Sequence, residues 1–136
     1  MSDSSSADHD QMNSVINNFL KEYYRVFDEN AVGLFDLYQD DAVFSMDGTK
    51  FVGKRNIVYM LNGYVFNRCA HSISKFDYHQ LNNTSHGVLV TVIGTIRLSD
   101  YKTRNFSQTF RLMPNSKGRL SVANSILSMF ADDEKM

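Results

Sequence analysis

The stretch VLVTVIGTIRL, residues 88–98, alternates in hydropathy with a period of two. That period puts successive side chains on opposite faces of an extended chain, so the stretch predicts a β-strand. At some ten residues it is long for a strand, whose usual length is about five or six. Long antiparallel strands twist and bend, and Gly94 in the middle marks the place for a bend or bulge. Alternating runs follow at 105–112 and 120–129, and a shorter one precedes them around Cys69, His71 and Ile73. Turn residues separate the runs: Asn82-Asn83, Ser99-Asp100 and the segment 114–118. The second half of the chain therefore reads as an antiparallel meander.

The first half reads differently. Val15, Ile16, Phe19, Leu20, Tyr23, Tyr24 and Phe27 recur at spacings of three and four, one face of a long amphipathic helix. Residues 28–30 break it, and Val32, Leu34, Phe35, Leu37 and Tyr38 predict a short second helix, which Gly33 weakens. An apolar strand at 42–46 leads into Asp47-Gly48, a strong hairpin-turn pair, and 50–52 is the return strand. Ile57, Val58 and Leu61 form one face of a third helix, ended by Gly63. Helices on one side of an antiparallel sheet make an α+β fold. The expected architecture is a cone-like bent antiparallel sheet wrapped around about three N-terminal helices, with a natural pocket at its mouth. Polar residues 1–10 are expected to be a disordered tail, residues 11–131 a single domain, and 132–136 an acidic C-terminal end.

Composition narrows the function. The chain has 136 residues, 43% of them hydrophobic, enough for one well-filled core. A formal net charge of -1 supplies no global attraction to nucleic acid. The single cysteine, Cys69, excludes an intramolecular disulfide and a cysteine-rich zinc site. No apolar run approaches the ~20 residues of a membrane span, and none resembles a secretion signal. No cofactor is expected. A nucleophile elbow and a glycine-rich phosphate loop are both absent, and His9, His71, His79 and His86 form no metal-binding pattern.

Two constellations remain. Asp47 and His71 could share the cone as an acid–base pair, because burial raises a carboxyl pKa toward that of a useful base. The simpler reading of Asp47 is a turn residue, and of His71 a structural histidine. Arg97, Lys102, Arg104 and Arg111, with Tyr101 and Phe106, could form a basic aromatic stripe of the kind that binds single-stranded RNA. The simpler reading is a solvated outer face or a protein interface.

The order of several local signatures resembles the nuclear transport factor 2 family over about residues 19–130. They are Tyr23-Tyr24 with Phe27-Asp28, Leu37-Tyr38, Gly48 with Phe51 and Gly53, Ile57-Val58, Phe66, His71-Ser72-Ile73, Asp77 and Gly94. The most specific is Phe106-Ser107-Gln108-x-Phe110-x-Leu112-Met113-Pro114. The resemblance implies the cone fold, pairing through the sheet face, and a chiefly non-enzymatic role. The founding member carries GDP-bound Ran into the nucleus and touches phenylalanine-glycine-repeat nucleoporins. A related branch is the small partner subunit of a larger mRNA export receptor. The implied location is cytoplasm and nucleus, at nuclear pores, with no membrane and no direct nucleic-acid contact.

Carried over residue by residue, the resemblance implies a partner-binding cavity of Tyr24, Met46, Phe66 and His71 with rim charges Asp47 and Asp100. It implies a dimer or partner face at Phe106, Gln108 and Phe110. The chain departs from the family pattern in three places. Met46 stands where an aromatic residue is usual. The hairpin Ser99-Asp100-Tyr101-Lys102 holds one acidic residue. The last strand reads Asn124-Ser125-Ile126-Leu127-Ser128-Met129, where the family tends to have Asn-Asp-x-Phe-Arg-Leu.

Overall fold

The computed structural model describes the backbone of residues 2–81 and 87–131 and the side chains from residue 11 onward. The Asn82-Asn83 turn and the acidic C-terminal end lie outside the described residues. Helix α1, Ser2–Asn30, runs back through the polar stretch that the sequence assigned to a tail. Its buried face is Ile16, Leu20, Tyr23, Tyr24 and Phe27, the spacing read from the sequence. A 3-10 helix, Ala31–Leu37, stands where a second α-helix was expected. Asn30 caps it, its side-chain oxygen accepting from the Val32 N–H. The second α-helix, α2, is Lys54–Leu61, and a 3-10 turn, Tyr64–Phe66, follows it.

Among the described residues six strands form one sheet: β1 Tyr38–Met46, β2 Thr49–Val52, β3 Ala70–Gln80, β4 Val88–Arg97, β5 Thr103–Pro114 and β6 Leu120–Phe130. Their order is β2-β1-β6-β5-β4-β3. The sheet is mixed, because β1 pairs with β6 in parallel while every other pair is antiparallel. The sheet is antiparallel, as expected, except at that one seam. Strand β1 also begins at Tyr38, earlier than its apolar part, since the strand carries Asp40-Asp41 across a register shift between Tyr38 and Val43.

The long strands bend where β3 shifts register between Ile73 and Lys75, opposite Gly94 of β4. A methyl group at position 94 would overlap the Ser72 carbonyl oxygen and press on Ile73. Glycine is what lets the two backbones approach there. The concave face packs on α1 through Tyr23, Phe106, Phe110, Val90, Val92 and Leu127. Tyr23 stands edge-on to Phe110 with ring centroids 5.0 Å apart, and its hydroxyl bonds that of Tyr38.

Candidate functional site

Asp47 and Gly48 close the β1–β2 hairpin with φ of 49° and 88°. Two successive positive φ values suit a tight two-residue hairpin, and they aim the Asp47 side chain into solvent at the end of the cone. The β4–β5 hairpin reaches the same end. There Leu98 N–H donates to Lys102 O at 3.1 Å and Tyr101 N–H to Leu98 O at 2.9 Å, with Tyr101 at φ 64°. This turn holds Asp100 outward. The two hairpins frame an open cavity of about 490 Å³ whose lining includes Asp47, Tyr64, Leu98, Asp100, Arg104 and Met129. Tyr64 is 85% exposed, and Val65 stands open beside it. The site therefore combines apolar and aromatic surface with two carboxylates.

Only part of the expected set meets there. Asp47 and Asp100 do. Met46 adjoins Asp47 and is half-buried against the core. Phe66 does not line the cavity: it is buried, its ring 5.4 Å from that of Phe27. The same 3-10 turn presents Tyr64 and Val65 to the cavity instead. Tyr24 is buried in α1, its hydroxyl donating to Gln108 Oε1 at 2.7 Å. It borders a separate groove between α1 and β3. Sequence periodicity could have found Met129, which shares the inward phase of Leu127, but Tyr64 and Val65 sit in a turn and carry no periodic signal.

His71 is also interior. Its side chain is 1% exposed, and Nδ1 lies 2.6 Å from Asp28 Oδ1. A carboxylate can only accept, so Nδ1–H donates. The His71 backbone N–H donates to Asp28 Oδ2 at 2.9 Å, and the Cys69 thiol to Asp28 Oδ1 at 3.5 Å. Asp28 stands near the C-terminal end of α1, where a helix disfavours negative charge. These three donors compensate for that position and pin the helix to the start of β3. Burial, with the neighbouring Asp28 carboxylate, pushes the Cys69 thiol up to about 12.

Asp28, Cys69 and His71 place ligand-type atoms within 4.8 Å of one another. A tetrahedral ion would hold nitrogen and oxygen ligands roughly 3.3 Å apart. The observed separation is that of a direct charge-assisted hydrogen bond. His71 Nε2 has no hydrogen-bond partner among the described residues, and the ring stands perpendicular to Phe106. The expected pairing of His71 with Asp47 in one pocket is overturned, because His71 is committed to Asp28 inside the core.

The expected sheet face is corrected too. Phe106, Gln108 and Phe110 point inward and are buried. Gln108 Nε2 donates to Ser125 Oγ at 2.9 Å, completing a chain from Tyr24. The outer face carries the intervening residues. Across β4, β5 and β6 it aligns Leu89, Arg111 and Asn124, then Thr91, Thr109 and Ile126, then Ile93, Ser107 and Ser128. Ile126 is 56% exposed, and Leu89 and Ile93 are open as well. The basic residues form no single stripe, since Arg111 points outward with Nε 2.8 Å from Asn124 Oδ1 while Arg104 lines the cavity. Among the described residues no helix is long and apolar enough to cross a membrane.

The family model for the nuclear transport factor 2 (NTF2) domain matches residues 15–129. Nuclear transport factor 2B of Arabidopsis thaliana is 38% identical over 112 residues, covering 82% of this chain and 88% of that protein. Nuclear transport factor 2 of Emericella nidulans is 31% identical over 117 residues, covering 85% and 93%. The solved structure of nuclear transport factor 2 from Cryptosporidium parvum superposes with a TM-score of 0.79 at 29% identity, covering 88% of this chain and 95% of that one.

Proposed function

The chain belongs to the nuclear transport factor 2 family, and from that premise we propose that it is a small nucleocytoplasmic transport factor that carries GDP-bound Ran and acts by binding alone. The observation that supports this reading is the mouth of the cone, where Asp47 and Asp100 edge a cavity lined with apolar and aromatic side chains. Such a site suits an aromatic side chain with a flanking cation. The apolar body is desolvated, and the open Asp47 carboxylate steers and orients the basic group. The outer sheet face, with Leu89, Ile93 and Ile126 open, pairs two copies back to back. Phenylalanine-glycine repeats of nucleoporins then meet a two-fold assembly at nuclear pores. The isomerase or lyase alternative loses its support once His71 is bound to Asp28 away from Asp47.

Binding to GDP-bound and GTP-bound Ran, measured by calorimetry with the wild type and Asp47→Lys, tests the reading. Selective binding of the GDP form, weakened at least tenfold by Asp47→Lys, supports it. Equal binding of both forms, or indifference to Asp47→Lys, refutes it. Native affinity purification tests the alternative of a heterodimer: recovery of a larger export receptor in place of a second copy would favour that branch.

A further inference from the structure

Arg104 shares the inward phase of Phe106, Gln108 and Phe110 but sits at the open end of β5, so a guanidinium enters the cavity from inside the cone. It grips Asp100 with both arms: Nη1 to Oδ1 at 3.2 Å and Nη2 to Oδ2 at 2.9 Å. The Lys102 backbone N–H donates to the same Oδ1 at 2.9 Å. Asp100 is thus engaged on both oxygens, and its carboxyl is held down at about 2, chiefly by Arg104 and then by Lys102. Asp47, across the cavity, has no such partner among the described residues. Among the described residues, the charged lining is therefore one open carboxylate and one internally neutralised pair.

We propose that Arg104 is a specificity-determining residue that occupies Asp100 and sets this cavity to receive a segment with one aromatic side chain and a single flanking cation, seated at Asp47. The inference rests on the binding role proposed above for this site and goes beyond it to the charge of the ligand. A second cation approaching Asp100 must displace a bidentate guanidinium already in place, and it gains little by the exchange. A neutral or acidic group meets no such competition on the Arg104 side. The hairpin is held by its own backbone hydrogen bonds, so the pair is preformed before any partner arrives.

Two peptides test this, each with one phenylalanine, flanked by one arginine in the first and by an arginine on either side in the second. They are titrated into wild-type protein and Arg104→Gln, with GDP-bound Ran titrated in parallel. The wild type is expected to bind both peptides within about twofold of each other. Arg104→Gln should favour the doubly basic peptide by about threefold to fivefold, the scale of one exposed ion pair. A wild type that already prefers the doubly basic peptide by that margin overturns the proposal, as does a variant that shows no new preference. Failure of both peptides to bind either protein overturns it as well. If the peptide pattern holds and Ran binds neither protein, the transport reading falls and the role of Arg104 stands.

Discussion

His71 Nδ1 and Asp28 Oδ1 lie 2.6 Å apart across 43 positions of sequence, joining the end of α1 to the start of the edge strand β3. Removing the carboxylate strands three donors at once. Asp28→Ala should lower the unfolding free energy by about 2–4 kcal/mol, read from urea denaturation. Asp28→Asn, which keeps an acceptor, should lose less. An Asp28→Ala protein as stable as the wild type would show that water replaces the carboxylate fully.

The Cys69 thiol should be inert in the folded protein. The unfolded thiol ionises near 9 and the folded one near 12, so between those values only the unfolded chain releases the proton. The raised pKa supports the fold fully below pH 9, and that support drains away as the pH climbs toward 12. The buried hydroxyls of Tyr24 and Tyr38, also shifted up by burial, act in the same direction. Labelling by a disulfide reagent at pH 8 should proceed at the rate of unfolding; labelling at the rate of a free thiol would contradict it.

Gln108 is wholly buried between Tyr24 and Ser125. Gln108→Leu leaves two hydroxyls without their partner and should cost about 2–3 kcal/mol. Adding Tyr24→Phe should return part of that loss, and the double-mutant cycle measures the coupling directly. Strict additivity would mean that the chain of hydrogen bonds does not act as a unit.

Gly94→Ala should be among the most damaging small changes, at about 1–3 kcal/mol or more, because the added methyl meets backbone and has nowhere to go. Thermal unfolding reads it. Gly48→Ala, which meets no atom but keeps a positive φ, should cost about 1 kcal/mol.

Ile126→Asp on the outer face should turn the proposed dimer into a monomer in light scattering while leaving the fold intact, since that side chain touches solvent and not the core; a wild type that is itself a monomer would overturn the proposed pairing. Phe106→Ala should instead unfold the protein without a selective effect on assembly.

That contrast marks where sequence reading succeeds and stops. Period-two alternation showed that Phe106, Gln108 and Phe110 share a face, and period 3.6 found the buried stripe of α1. Alternation alone cannot say which face packs on the helix; the resemblance implies a partner face at those three, and they lie within. Asp47-Gly48 was legible as a turn because its chemistry is local. Asp28 with His71 depends on a contact between α1 and β3 across 43 positions, for which one sequence carries no local signal, and Arg104 shares the phase of Phe106, so its inward turn follows only once the packed face is known. The 3-10 segment at Ala31–Leu37 carried an apolar pattern that two helix types share.

Strand β6 follows the other five in the chain yet lies between β5 and β1. On the ribosome, the β1–β2 hairpin must therefore wait, unsatisfied along one edge, until nearly the entire domain has emerged. Joining β1 to β6 spans some eighty residues and carries a correspondingly large loop-closure entropy, which slows folding. The waiting edge of β1 is a surface for chaperones or for mispairing with a second nascent chain. Asp41, exposed on that strand, gives the unfinished edge negative charge during the interval before β6 arrives, while Asp40 is paired with Lys54.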